Sequence, residues 1–380
     1  MELKTLFSPM KIGNCEIPNR TVVPAMVANM CPDNGLASEQ YIRYHEEKAK
    51  GGWGLIITED YRVNPNAGGY PHICGLWSKE QIPSHKRLTD TIHKYESKIF
   101  CQIYHAGRQA TSGVNGGMHP VSCSPIPCPW NKEVPHELTI PEIKQIVADF
   151  GNTAANVVEA GFDGVEIHCA HGYLLHEFLS PNCNHRIDEY GGSFENRYRF
   201  AVEVVKAIKA ECGEDFPVSM RYSVVSKTKG FNDGAVPGEE YIEVGRDMEE
   251  SERAIAYLRE AGYDCFNCDN GTYDAWYWSH PPVYMPPNCN LEDVKHIKKF
   301  TDAPVFCAGR MQIDTAAEAI SAGELDGVAI GRQFLCDEQF ITKIREGRTE
   351  DIRPCISCHI SCLPVAATPG SGILMGMKGF

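Results

Sequence analysis

The sequence predicts a (β/α)8 barrel, a parallel α/β fold class, for this 380-residue chain. Eight short apolar runs end at polar or glycine-containing turns, and stretches with helical periodicity separate them. No GxGxxG or P-loop interrupts the alternation, so no separate dinucleotide domain is expected within it. Composition agrees, since 43% hydrophobic and 23% charged residues are the proportions of an ordered globular chain. A formal charge of −14 argues against general nucleic-acid binding, which needs basic surface to displace counterions. No apolar run reaches the roughly 18 residues of a membrane span. The amino terminus also lacks a basic region followed by an apolar one, so a cytoplasmic protein without membrane contact is expected. Seventeen cysteines without an export signal read as reduced thiols and metal ligands rather than a disulfide framework. Cys101, Cys169, Cys265 and Cys307 fall in or beside apolar runs, where Cys packs as a small hydrophobe.

The first strand is the β-branched run Thr21-Val22-Val23, which stops at the small-residue turn Pro24-Ala25-Met26. Ser38 opens a helix over residues 38–50, with Glu39 and Gln40 in its first turn. Residues 54–59 form the second strand and deliver Thr58 and Glu59 at its end. The third, residues 98–105, carries Gln102, whose carboxamide can serve both donors and acceptors. Residues 106–137 then lack periodicity, and so long a loop in a compact domain is expected to wall a substrate pocket. A helix over 141–160 leads to the fourth strand at 164–167. The fifth, 217–223, places Arg221 among apolar neighbours, where a guanidinium needs an anionic or electron-rich partner, within the barrel or bound to it.

A charged amphipathic helix over 247–261 precedes the sixth strand, 265–270. Cys265 and Cys268 point to opposite faces of that strand and make no redox or zinc pair. The loop after it carries Tyr273, Trp276, Tyr277 and Trp278, expected to form a flat apolar wall. Strands seven and eight, 304–309 and 327–331, end in Gly309-Arg310 and Gly331-Arg332, with a helix over 314–322 between them. Glycine lets backbone amides approach an oxyanion, and arginine adds a charge-assisted fork. A phosphate site after strands seven and eight is common in such barrels.

Chemistry concentrates after the fourth strand. His168, His171 and Tyr173 appear as it ends, where a barrel presents reactive groups. After Gly191-Gly192, Ser193 caps a helix whose apolar face is Phe194, Tyr198, Ala201, Val202 and Val205. The run His168-x-x-His171-Gly172-Tyr173, followed by Phe178-Leu179-Ser180-Pro181, Asn184, Arg186, Asp188, Tyr190-Gly-Gly-Ser193, Glu195 and Arg197, resembles the signature of the old yellow enzyme family of flavin-dependent ene-reductases. It is most similar to the branch with 2,4-dienoyl-CoA reductase, 2-enoate reductase and the bile-acid-inducible NADH:flavin oxidoreductases.

That resemblance implies an FMN-binding barrel over residues 1–350 with NAD(P)H as electron source. Pro24, Ala25, Met26, Glu59, Gln102 and Arg221 would bind the cofactor, with Gly309, Arg310, Gly331 and Arg332 at its phosphate. Hydride would pass from flavin N5 to the β carbon of an α,β-unsaturated carbonyl compound, while His168 and His171 bind the carbonyl oxygen and Tyr173 protonates the α carbon. A phenol at its ordinary pKa of about 10 is protonated at neutral pH, as a general acid must be. Tyr273 and Trp276 are the expected substrate contacts. Dienoyl-CoA reductases pair such a Tyr with a His in the loop after the sixth strand. This loop has none before His280, which favours an enoate, an enone, or a 3-oxo-Δ4 steroid or bile-acid type ligand.

Cys355, Cys358 and Cys362 have the spacing of an iron–sulfur corner, and soft thiolates also suit zinc. In the resembled branch this pattern begins a four-Cys motif for a [4Fe–4S] cluster. Its fourth Cys is expected about a dozen residues on, where this chain has Leu374, and no Cys follows Cys362. Residues 351–380 are therefore expected to be the truncated start of an iron–sulfur segment, with the fourth ligand and FAD and NAD(P)H domains further on. A site completed by His359, or no cluster, are the other readings. Two other functions are open to the sequence: an amine dehydrogenase of the same superfamily, whose covalent FMN needs a Cys at the position of Val27, and a non-redox phosphate-binding barrel, for which only Glu59 and Asp269 offer strand-end carboxylates. Assembly into a homo-oligomer is compatible with all three.

Overall fold

Strands β1 (Thr21–Val23), β2 (Leu55–Ile57), β3 (Lys98–Tyr104), β4 (Gly164–Cys169), β5 (Val218–Ser223), β6 (Cys265–Asp269), β7 (Val305–Ala308) and β8 (Gly327–Ala329) are the staves of the computed structural model, which describes residues 3–360, 362 and 363. Each pairs in parallel with the next, and β8 returns to β1, so the barrel closes. Between them run α1 (Glu39–Lys50), α2 (Ile82–Ile92), α3 (Ile140–Glu159), α4 (Phe194–Cys212), α5 (Met248–Ala261), α6 (Leu291–Ile297) and α7 (Ile313–Ser321), with α8 (Arg332–Cys336) and α9 (Phe340–Arg345) after β8. No helix among the described residues is long and apolar enough to cross a membrane.

Caps fix the helix starts. Ser38, Ser193 and Asp247 accept from the backbone N–H three residues on, and Thr139 with Glu142 forms a capping box on α3. The buried stripe of α4 runs through Ala201, Val204, Val205 and Ile208, leaving Val202 half-buried. Positions i, i+3, i+4 and i+7 share a helix face, so Val204 takes the place expected of Val202.

Alternation in the strands divides the core. Ile99, Cys101 and Ile103 of β3, Val165, Ile167 and Cys169 of β4, and Cys268 of β6 pack in the large cluster outside the barrel. Phe100, Cys265, Phe306 and Ala329 pack inside it with Val22, Leu55 and Ile57. Cys265 and Cys268 thus face apart, as strand period two requires. Gly164 and Gly327 make room for the interior rings, because a Cβ on either would lie 2.7 Å from Phe100 or Phe306. An antiparallel hairpin, Met10–Ile12 with Cys15–Ile17, adds Ile12 and Ile17 to the same interior cluster. Apolar packing therefore fills the amino-terminal part of the barrel and leaves polar chemistry to the other end.

Candidate active site

A cavity of about 1120 Å³ opens at the carboxyl ends of the strands. One drug-sized ligand takes on the order of 300–1,000 Å³, so there is room for a cofactor and a small substrate together. Of the residues expected there, Pro24, Ala25, Met26, Gln102, His168, His171, Tyr173, Arg221, Tyr273, Trp276, Gly309, Arg310, Gly331 and Arg332 all lie on its wall, and Cys355 and Cys362 reach one end. The expected pocket loop contributes Gln109, Thr111, Val114, Trp130 and Asn131.

Register brings the polar side chains to one level. Gln102 pairs with Glu166, and Arg221 pairs with His168 on one side and Asn267 on the other. The result is a continuous chain: Gln102 Nε2 donates to Glu166 (2.7 Å), Asn267 Nδ2 donates to the other Glu166 oxygen (3.0 Å), and Arg221 Nη1 donates to Asn267 Oδ1 (3.1 Å). Arg221 Nη2 then donates to Asp269, whose carboxylate also accepts from His171 Nε2 at 2.9 Å. A charge this deep needs partners, and Arg221 has one within the barrel while still lining the cavity. Burial pushes Glu166 up, against the pull of Arg221. Beside it, burial and then Glu59 and Glu166 push Asp60, also on the cavity wall, up to about 8.

β4 continues through Cys169, so His168 sits on a strand rather than in a loop. Its Nδ1 accepts from Ala170 N (3.4 Å), which puts the ring proton on Nε2. Burial, followed by the charge of His171, holds it well below the ordinary imidazole range, so it is a neutral N–H donor. His171 is different: it takes φ +58, and Asp269 occupies its Nε2. Only its Nδ1 can turn to a ligand, and it donates there only as the imidazolium. Tyr173 lies 4.6 Å from His168, ring to ring, and its hydroxyl is 2.9 Å from Tyr273 OH and 3.3 Å from Tyr70 OH. Tyr70 and Tyr273 are themselves 2.7 Å apart, closing a triangle of phenols. Burial first, then its phenolic neighbours, push Tyr173 well above the ordinary range.

The aromatic wall is narrower than expected. Tyr273, Trp276 and Trp130 meet in tilted and edge-to-face contacts, and His280 stacks on Trp276 at 3.9 Å, 5.9 Å from His171. Tyr277 and Trp278 instead pack with Met285, because Trp278 Nε1 donates to Ala235 O at 2.6 Å and turns its ring away. Glu59 also lies off the wall. It is fully buried, pushed up to about 7 by burial, and accepts from Ala28 N at 2.5 Å, so it braces the turn after β1 from behind. Cys31 and Cys74 lie beside it, with ligand atoms within 4.8 Å of one another, but backbone amides already claim its carboxylate. Cys31 is buried and lies off the cavity wall, whereas Val27 lines it.

The opposite arc offers backbone. Arg310 Nη1 donates to Pro282 O and Val283 O (both 3.1 Å) and to Met285 O, and Arg332 Nη1 to Pro281 O (2.8 Å). These bonds fix both arginines at the cavity edge. Gly309 has φ +111 and would put a Cβ 2.3 Å from Asn290 Nδ2, and a Cβ on Gly331 would meet Met26 Sδ at 2.7 Å. A flavin fits this donor set. Gln102 Oε1 is buried without a partner and suits an N–H of a pyrimidine edge, while the two glycines keep the far end open for a phosphate. Of the positions considered for a fourth cluster ligand, Leu374 lies outside the described residues, and His359 Nε2 is taken by Arg332.

Sequence reasoning missed Asp60, Tyr70, Trp130, His280, Glu166 and Asn267. For Glu166 and Asn267 a signal existed, since each sits two residues from another inward position on its strand.

The profile of the NADH:flavin oxidoreductase / NADH oxidase family matches residues 5–351. A cinnamate reductase of Clostridium sporogenes is 42% identical over 375 residues, covering 95% of this chain and 56% of that protein. The chain spans about half the length of the curated relatives it matches. Among solved structures, a 2-naphthoyl-CoA reductase in complex with 2-naphthoyl-CoA is similar at TM-score 0.87 and 29% identity, over 98% of this chain and 58% of that one. An old yellow enzyme homologue from Zymomonas mobilis is similar at TM-score 0.76 and 26% identity, over 90% and 93%.

Proposed function

The chain belongs to the NADH:flavin oxidoreductase / NADH oxidase family, and on that premise we propose that it is an FMN-dependent ene-reductase, using NAD(P)H to reduce the C=C bond of an α,β-unsaturated carbonyl compound. The observation that carries this reading is one cavity that holds a neutral imidazole N–H, a phenol 4.6 Å from it and an unpartnered buried amide oxygen. Gln102 and Arg221 would hold the pyrimidine edge of FMN, Pro24, Ala25 and Met26 its ring, and the Gly309 and Gly331 turns with Arg310 and Arg332 its phosphate. When bound, FMN supplies the hydride that the β carbon accepts.

The chain's own residues do the rest. His168 Nε2–H donates to the carbonyl oxygen and stabilises its charge as it grows, a contribution of roughly 10²–10³-fold for one such donor. His171, held by Asp269, orients the other side of that oxygen and donates in its protonated form. Tyr173 gives its proton to the α carbon. Burial makes it a reluctant acid, and Tyr70 and Tyr273 offset this by turning their hydroxyls toward its oxygen as charge develops.

A ring-bearing enoate or enone fits the wall of Tyr273, Trp276 and Trp130, and the relative named cinnamate reductase supports an aryl enoate. A 3-oxo-Δ4 steroid or bile acid is the bulkier candidate. A [4Fe–4S] cluster at Cys355, Cys358 and Cys362 would admit electrons, and the relatives' additional length is the proposed seat of FAD and NAD(P)H binding.

The test is to reconstitute the chain with FMN, reduce it anaerobically and add cinnamate, a cyclic enone or a 3-oxo-Δ4 steroid. Reoxidation with one equivalent of saturated product is expected from at least one. Reoxidation by none of them, with amines reducing the oxidised protein instead, would overturn the reading in favour of an amine dehydrogenase.

A further inference from the structure

We propose that Tyr70 is the far end of a proton relay that runs through Tyr273 to Tyr173, and that the charge left when Tyr173 gives up its proton comes to rest on Tyr70. This rests on reading Tyr173 as the acid of an ene-reductase, and it adds where that proton is replaced.

The three sides of the phenol triangle are unequal. The hydroxyls of Tyr70 and Tyr273 lie 2.7 Å apart and those of Tyr273 and Tyr173 2.9 Å, while the direct side from Tyr70 to Tyr173 is 3.3 Å. Only the two short sides fall within the O–H···O range of about 2.5–3.0 Å. A hydroxyl both donates and accepts, so each oxygen along those sides can receive a proton from one neighbour as it releases its own to the next. Burial sets which end faces solvent. Tyr173 follows β4 and Tyr273 follows β6, and they are 5% and 9% exposed. Tyr70 belongs to the loop after β2, where residues 69–72 are all half-buried. Two bonds fix it there: Arg62 Nη2 donates to Tyr70 O at 3.2 Å, and Gly69 N donates to Tyr104 Oη at 2.7 Å. A Cβ on Gly68 would lie 2.7 Å from Arg62 Nε, so a glycine is what lets the loop close on that arginine.

A phenolate left on Tyr173 would be a charge in a poorly solvated interior, and burial accordingly pushes Tyr173 and Tyr273 well above the ordinary range. Burial raises Tyr70 as well, but hydrogen bonds from Tyr173 and Tyr273 both pull it back, so a charge shared by the three phenols is held best at Tyr70. The transfer balances without a further reactant. Tyr173 O–H breaks as the C–H bond to the α carbon forms, the Tyr273 proton moves to Tyr173, and the Tyr70 proton moves to Tyr273. Tyr70 is left as the phenolate, and water returns a proton to it and releases hydroxide to the solvent. No electrons move along the relay. Asp60 shares the cavity wall and holds a proton at neutral pH, yet among the described residues it hydrogen-bonds none of the three phenols.

The experiment follows single-turnover reoxidation of the reduced, FMN-loaded chain in mixtures of H2O and D2O, for the wild type, Y70F, Y273F and D60N. The oxidant is whichever of cinnamate, a cyclic enone or a 3-oxo-Δ4 steroid reoxidises the wild type. A rate that falls along a bowed curve with the deuterium fraction reports several protons moving together, and a straight line reports one. The wild type and D60N should give the bowed curve. Y273F should give a straight line and Y70F should lose most of the curvature, each slowing by about tenfold or more with FMN content unchanged, which reports an intact barrel. A Y70F that is slower but as curved as the wild type would make Tyr70 a hydrogen-bond donor alone and overturn the relay, with the ene-reductase reading left standing. A straight wild-type line overturns it in the same way. Curvature lost in D60N and kept in Y70F overturns it in favour of Asp60 as the proton source. A wild type that none of these compounds reoxidises overturns the ene-reductase reading and the relay with it.

Discussion

The carboxyl end of the barrel is built in two ways. From β3 to β6 the strands present side chains, and Gln102, Glu166, Asn267, Arg221, Asp269 and His171 form one hydrogen-bonded chain across four neighbouring strands. From β7 through β8 to β1 small residues alternate with two arginines, and Ala308-Gly309, Ala329, Gly331 and Pro24-Ala25 line the cavity beside Arg310 and Arg332. The first arc works by paired charges in a poorly solvated interior, so each member depends on its neighbours. The second works by close approach, so what matters there is the absence of a side chain. Chemistry is expected to fail residue by residue on the first arc, and cofactor binding to fail by added bulk on the second.

Four changes sharpen that contrast. The largest effect is expected from R221M, which leaves Asp269 buried beside His171 without its cation. Removing one partner of such a pair costs about 3–5 kcal/mol, to be read as a lower urea midpoint; an unchanged midpoint would mean that the arc is not coupled. H168A comes next, slowing reoxidation of the reduced flavin by an enone roughly 10²–10³-fold with FMN still bound. If stopped-flow absorbance gives equal rates, His168 does not bind the oxyanion.

G309A tests the other arc. Its φ of +111 and the 2.3 Å approach of Asn290 Nδ2 should weaken FMN binding by about 1–3 kcal/mol without changing the chemical rate of the loaded protein. Fluorescence titration of FMN checks this, and a changed chemical rate with intact affinity would break the division of labour. The smallest effect concerns pH. Asp60 binds its proton up to about 8 in the folded chain but releases it near the ordinary carboxylate value of about 3.9 when unfolded. The folded state therefore holds the extra proton between these values, and stability falls as pH rises through that window, by at most about 1.4 kcal/mol per pH unit. D60N should flatten the decline seen in unfolding midpoints between pH 5 and 8, and an unaltered slope would remove Asp60 as its source.

The two arcs were not equally legible. Eight strands, their turns and the imidazole and phenol after β4 could be read from the chain, because strand-end polar residues and Gly-Arg pairs are local signals. Glu166 and Asn267 could not be singled out, since only the register between strands shows that they bridge Gln102 and Arg221. Tyr70 and Trp130 come from aperiodic loops, where no spacing rule reports direction. The resemblance points to Glu59 at the cofactor, but its neighbour Asp60 lines the cavity, a one-residue difference in the irregular turn after β2 that no period reports.

The central claim is that Tyr173, set in its triangle of phenols, is the acid that completes alkene reduction. The direct measurement is rapid kinetics on Y173F with both half-reactions followed separately by flavin absorbance. Reduction of the flavin should proceed at the wild-type rate while reoxidation by the unsaturated substrate slows about 10²-fold or more. Equal slowing of both half-reactions, or of neither, would contradict it.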